Sequence, residues 1–291
     1  MTDRYALTLY TYNPAMEIRE TTLRERMNVP ERSGGKAVGQ DIIVKLLATY
    51  GFLTLNLIKR CLVLRGHKRI DPSRSLEKMQ VKGRALKYTI HHEGSDKQDI
   101  DIYTLSDSMR AELKKKGYEY IHYKQDMTNI PYILEKLSTI QWHVSVLEAP
   151  HTREAAYNWR VVLSDKRTVI VPSMTEFKTI RKSKLYLIGI PAPKGKHNED
   201  LMKFLISVYL MDEYLKENPG RYTSRVFVLI CEDDKQAEDI CRYMVNIRET
   251  AGLYFLYTND EATQEGENPL TLLYELKLKD KKIERRVISI R

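Results

Sequence analysis

The chain has little of what staples, anchors or exports a protein. It holds three cysteines in 291 residues, Cys61, Cys231 and Cys241. Their number is odd and their spacing fits no zinc pattern, so reduced thiols in a cytoplasm are expected and a disulfide framework is not. Cys61 and Cys241 fall in apolar helical patterns, where core packing is their expected role. No run approaches 18 uncharged apolar residues, so neither a membrane span nor a membrane partner is expected. The opening "MTDRYALTLYTYNP" has no basic n-region and no apolar h-region, so no signal peptide is expected. Catalytic signatures are missing as well. There is no HExxH or GxSxG, and "PAPKGKHNED" has Gly195 and Lys196 without the spacing of a phosphate loop. The histidines are scattered, so the His-cluster metal site that tyrosine relaxases need does not assemble, although tyrosine is abundant. No cofactor is expected.

What is present is a globular composition, 42% hydrophobic and 30% charged, with a formal net charge of +9. The charge is unevenly spread. Residues 1–120 hold 22 Lys and Arg against 15 Asp and Glu, whereas residues 121–291 hold 26 against 24. Within 59–87, 10 basic residues face only Asp71 and Glu77. A local basic excess in an otherwise balanced chain points to a polyanion-binding patch.

Residues 1–38 read as an arm or linker. "YALTLYTY" suits a short strand and "NVPERSGGKAVG" is turn-rich. From Gln40, Ile43, Leu46 and Leu47 recur at helical spacing, and Gly51 ends that helix. Thr54 caps a second helix, with Leu55, Ile58 and Leu62 facing inward, and Gly66 closes it. Asp71 and Pro72 open a third, short helix that should end near Gly83. Leu76 and Met79 form its apolar side. Arg74, Lys78 and Lys82, at i, i+4 and i+8, form a basic stripe well away from it. Like charges at that spacing repel, so the stripe makes sense where phosphates neutralise it. "ALKYTIHHEGSDKQDIDIYTL" then alternates as a hairpin, and Ser106 opens a fourth helix.

This order predicts a winged helix–turn–helix over residues 39–117. Its third helix would enter a major groove and its hairpin tip would touch flanking backbone. The residues assigned to double-stranded DNA are Ser73, Arg74, Ser75, Lys78 and Lys82 on the helix, Lys68 and Arg69 just before it, and Lys97 on the tip. A winged helix used for protein contacts is the competing assignment. His91, His92, Glu93, Asp96, Asp99 and Asp101 gather near the tip, but adjacent histidines on a strand point to opposite faces and chelate poorly. A polar loop is expected there, and no metal.

Residues 118–291 read as helix, three strands, helix, strand, helix, strand and a closing hairpin or edge strand, an α/β domain with a mixed sheet. Trp142 and Trp159 read as core anchors. The order can hold a restriction-endonuclease-like core. Such a nuclease needs an acid at the start of its second strand and an Asp/Glu-x-Lys on its third. "IVPSMTEF" offers Ser173, and "YLIGIPAP" offers Gly189 and Pro191. None can replace those ligands, and Glu176 alone makes a poor Mg²⁺ site. No catalytic residue is therefore assigned.

The winged helix followed by this α/β half, with "SRVFVLICEDDKQAEDICRYM" as the nearest local likeness, resembles the replication–relaxation family of plasmids and integrative elements. The likeness spans roughly residues 40–260. It implies a DNA-binding accessory protein serving replication, mobilisation or their control, with a replication or mobilisation protein as partner. A homodimer would lengthen the short site one winged helix reads, though no residue pattern specifies it. A metal-dependent nuclease with migrated carboxylates and a ligand-sensing transcription regulator are the alternatives.

Overall fold

The computed structural model describes residues 16–21, 37–92, 99–118, 127–150, 152–179, 184–193, 198–217, 224–245, 253–259, 263, 268–280 and 282–290. It is a mixed α/β protein with seven helices and a large mixed sheet among the described residues. The chain divides into two compact units. One spans Asn13–Ile130 and the other holds Pro131–Arg291.

The first unit runs β1 (Met16–Thr21), α1 (Ala37–Tyr50), β2 (Phe52–Thr54), α2 (Leu55–Leu64), α3 (Pro72–Val81), β3 (Ala85–His92), β4 (Ile100–Leu105) and α4 (Asp107–Lys115). Its antiparallel sheet has the order β1-β3-β4-β2. The segment expected to be an arm thus contributes a strand, with Met16 to Thr21 in register against His92 to Lys87. The "YALTLYTY" segment lies outside the described residues. The helices form where local chemistry dictates. The Oγ1 of Thr54 accepts from the Leu57 N–H at 3.3 Å, and the Oγ of Ser106 accepts from the Met109 N–H at 3.3 Å. The core is built from Ile43, Leu46 and Leu47 of α1, Ile58 and Leu62 of α2, Leu76 and Met79 of α3, and Ile90 and Ile102 of the hairpin. At roughly 1.5–3 kcal/mol per fully buried aliphatic side chain, this apolar burial is what holds three short helices on one sheet.

The second unit runs α5 (Ile130–Glu148), β5 (Thr152–Val162), β6 (Thr168–Lys178), β7 (Lys184–Pro191), α6 (Asn198–Glu217), β8 (Arg225–Cys231), α7 (Asp234–Val245), β9 (Phe255–Asn259), β10 (Leu273–Lys279) and β11 (Lys282–Ile288). The seven strands order β11-β10-β9-β8-β7-β6-β5. Strands β7, β8 and β9 are parallel, and the flanking pairs are antiparallel. Because β8 lies between two parallel neighbours with both faces covered, "VFVLIC" is continuously apolar rather than alternating. One face carries Tyr186, Ile188, Leu229 and Tyr257 with Val208 and Met211 of α6 and Ile240 of α7. The other carries Phe177, Leu187, Val228, Ile230 and Leu256 with Trp142 and Val146 of α5. The three cysteines are buried free thiols. Trp142 is fully buried, and Trp159 packs edge-on against Tyr214 at 5.7 Å between ring centroids.

Candidate nucleic-acid interface

The third helix is fixed at both ends by side chains and turns that its sequence supplies. Asp71 Oδ1 accepts from the Arg74 N–H at 3.2 Å, and Ser75 Oγ donates to the Asp71 carbonyl at 2.8 Å. Pro72 occupies the first turn, where its missing N–H is no loss. At the other end Gly83 takes φ +64°. The Gly83 N–H then reaches Gln80 O at 2.9 Å and the Arg84 N–H reaches Met79 O at 2.7 Å, a complete Schellman termination.

Pro72, Leu76 and Met79 are the buried side. Measured from it at about 100° per residue, Arg74 sits roughly 160° away, Lys78 roughly 120° and Lys82 roughly 80°. The expected stripe therefore winds around the helix instead of running straight, because four residues overshoot one turn by about 40°. Arg74 is exposed, Lys78 is half-buried at the flank, and Lys82 is the C-cap residue. The middle of the exposed face also carries Glu77 and Val81, the latter 53% exposed. Neither was assigned a role from sequence, although the same helical period places both. Ser73 is exposed, while Ser75 is half-buried and spends its hydroxyl on the cap. Lys68 and Arg69 are exposed in the turn before the helix. Lys97 lies outside the described residues.

The basic groups of this unit fall into two populations. Lys87 pairs with Asp101 at 2.7 Å, Lys116 with Glu112 at 2.6 Å, and Arg110 with Asp107 at 3.6 Å. Glu112 is held below the usual carboxylate range by its hydrogen bond from Lys116. By contrast, Lys68, Arg69, Arg74 and Lys78 have no carboxylate within ion-pair distance among the described residues. Four such cations lie on α3 and the turn leading into it, and Lys45, Lys59, Arg65, Lys114 and Lys115 on the other helices are likewise without a carboxylate at that distance among the described residues. Tyr103 on β4 is pushed up to about 12, by burial first and then by the carboxylates of Asp101 and Glu77. It remains a neutral hydroxyl across the ordinary pH range.

The acidic residues near the hairpin tip are engaged elsewhere. Asp101 accepts from Thr89 Oγ1 at 2.8 Å as well as from Lys87, and Asp99 meets His91 Nδ1 at 2.8 Å. Among the described residues no three His, Cys, Asp or Glu side chains gather as a metal site. Glu93 and Asp96 lie outside those residues, as does the His92 side chain.

In the second unit Ser173 and Gly189 are direct cross-strand partners, so β6 and β7 do bring together the two positions where a nuclease would carry acids. Ser173 is fully buried and its Oγ lies 3.0 Å from His143 Nδ1. Burial pushes the His143 imidazole down to about 4, so it is neutral at pH 7. A Cβ built on Gly189 would collide with Nε1 and Cδ1 of Trp142. The indole therefore fills the space that an acidic side chain at 189 would need. Glu176 is also occupied, accepting from Tyr186 Oη at 2.9 Å and from Lys184 Nζ at 3.1 Å.

No protein-family model matches the chain, and no curated protein or solved structure matches it.

Proposed function

We propose that the protein binds double-stranded DNA through a winged helix–turn–helix spanning α1 to α4, with α3 in the major groove. The observation that carries this reading is the set of four cations, Lys68, Arg69, Arg74 and Lys78, with no ion-pair partner among the described residues, on and before a capped, exposed helix. The order helix, strand, helix, helix, strand, strand, helix, with β2 paired to β4, supports it. Lys68, Arg69 and Lys78 contact phosphates in this reading, while Arg74, Ser73 and Val81 face the bases; a valine suits a thymine methyl. Ser75 serves the cap, Lys82 reaches backbone from the flank, and Lys97 is assigned to phosphate from the sequence alone.

The second unit takes a restriction-endonuclease-like strand order in this proposal and is catalytically silent. The Trp142 ring over Gly189 and the engaged Glu176 carboxylate weigh against a nuclease with migrated ligands. The cellular role follows from the sequence resemblance alone: a cytoplasmic accessory protein of a mobile element, acting in replication, mobilisation or transcription control. No helix among the described residues is long and apolar enough to cross a membrane.

The test is a salt titration of affinity for a labelled duplex. Arg74→Ala with Lys78→Ala is expected to reduce the slope of log K against log salt by about 1, for the lost Lys78 phosphate contact, and to lower affinity further through the lost Arg74 base contact. An unchanged affinity and slope would remove α3 from the interface.

A further inference from the structure

The last two strands carry a second concentration of positive charge that the winged helix does not use. Residues 277–286 hold six basic residues, Lys277, Lys279, Lys281, Lys282, Arg285 and Arg286, against Asp280 and Glu284. The strands β10 and β11 pair in unbroken register from Leu273↔Ile288 to Lys279↔Lys282. Their neighbour β9 meets β10 at the single pair Tyr274↔Tyr257. Beyond that point the hairpin continues as a two-stranded ribbon, with no third strand beside it among the described residues. In the turn Asp280 takes φ +48°, which suits the tight connections that keep such a ribbon narrow to its end.

The two faces of the ribbon differ. On one, Tyr274, Leu276 and Ile283 lie against the α6–α7 core. Arg285 stacks over the Tyr274 ring at 3.9 Å and pairs with Asp234 at the start of α7. That face is anchored. The other carries Lys277, Lys279, Lys282, Glu284 and Arg286. The Lys277 and Lys279 side chains are each 67% exposed. Glu275 lies 3.2 Å from Lys277 and Glu284 lies 3.6 Å from Lys279. Lys282 and Arg286 have no carboxylate within ion-pair distance among the described residues. Lys279 and Lys282 also stand directly opposite each other at the tip, a like-charge pairing that destabilises a bare hairpin. An external polyanion removes that repulsion.

We propose that the β10–β11 ribbon is a second DNA contact, in which Lys279 and Lys282 bind phosphates. A two-stranded ribbon has the width of a major groove, and a lysine-tipped one adds sequence-independent affinity. This inference rests on the DNA-binding reading above. The alternative occupation of these charges is to guard an edge strand against pairing with other chains.

The test uses the full chain and a labelled random-sequence duplex. Lys279→Ala with Lys282→Ala is expected to lower the salt slope by about 2 without lowering the melting temperature, because both side chains stand in solvent and their mutual repulsion is removed. Lys279→Arg with Lys282→Arg should keep the wild-type slope. If the alanine pair leaves the slope intact while the α3 pair reduces it, the ribbon is an edge guard: this inference falls and the DNA reading stands. If the ribbon pair reduces the slope and the α3 pair does not, the ribbon contact stands and the α3 assignment falls. If the wild-type chain shows no salt-dependent affinity for duplex, both are wrong.

Discussion

A single buried histidine gives the second unit an acid sensitivity that composition does not reveal. His143 sits within the structure against Ser173, 5.5 Å between its ring centroid and that of Tyr157, and is neutral down to about pH 4. In the unfolded chain it takes up a proton near 6.5. Its folded pKa is therefore depressed, and the unfolded state binds more protons between about 6.5 and 4. The stability this residue allows is fully present above about 6.5 and is lost as the pH falls towards 4, by an amount on the order of 3 kcal/mol. Urea midpoints of the wild type and of His143→Gln, followed across that window, check this. The wild type should lose stability the more steeply, and parallel profiles would refute the assignment.

Gly189 makes a second residue-scale prediction. Its missing side chain is where the Trp142 indole lies, with an Nε1–H that finds no acceptor among the described residues. Gly189→Ala is expected to destabilise by about 2 kcal/mol or more through overpacking, and Gly189→Asp by more because it adds a buried charge. In a double-mutant cycle with Trp142→Ala, most of the cost of Gly189→Ala should vanish. Equal costs in both backgrounds would mean that the ring is not what fills the site. Nothing in "YLIGIPAP" announces this packing. The glycine was legible as a missing acid, but the tryptophan that occupies its place is on another element, brought there by how α5 lies on the sheet.

At the scale of elements, helix ends were the most legible features. Thr54, Asp71 and Ser106 each cap the helix that their position predicts, because capping is a local hydrogen bond between residues two or three apart. Asp71→Ala should cost about 1 kcal/mol in thermal or urea unfolding and fray the first turn of α3. Asp71→Asn should retain most of that stability, since its amide oxygen accepts the same bond. The strand β1 was not legible as part of the sheet, since a short isolated strand acquires meaning only from its partner β3. The basic stripe was half legible. Spacing found Arg74 and Lys78, but a stripe drawn at i, i+4 ignores its drift around the helix and passed over Glu77 and Val81, which share the exposed face. The projection of the β10–β11 hairpin depends on where β9 stops pairing, which the amino-acid order does not state.

The α5 helix shows the same limit in another way. It carries Ser138, Thr139, Gln141, His143 and Ser145, yet all five are buried. Each is satisfied by a specific partner: Ser138 and Thr139 by carbonyls one turn back, Gln141 by Thr263 Oγ1 at 2.8 Å, His143 by Ser173 Oγ at 3.0 Å, and Ser145 by the Thr263 carbonyl at 2.5 Å. Periodicity alone marks such a helix as half-exposed. Only the tertiary partners explain how the polar residues are accommodated inside.

For the whole molecule, the net charge of +9 matters less than where partners for it are missing. In the first unit, Lys87, Arg110 and Lys116 are internally neutralised, whereas Lys68, Arg69, Arg74 and Lys78 have no such partner among the described residues. In the second, the buried Asp212 takes Lys216 at 2.7 Å and the Arg225 guanidinium at 2.7 and 2.9 Å, a structural pairing that joins α6 to β8. Cations engaged within the fold are thereby distinguished from Lys68, Arg69, Arg74 and Lys78, which the proposed reading assigns to DNA. Lysine acetylation footprinting of the full chain, with and without saturating duplex, tests that separation most directly. Bound DNA should protect Lys68 and Lys78 and leave the paired Lys116 at the α4 end as reactive as in the free protein. Protection spread evenly over all three, or confined to Lys116, would contradict the assignment of α3 as the DNA-binding element.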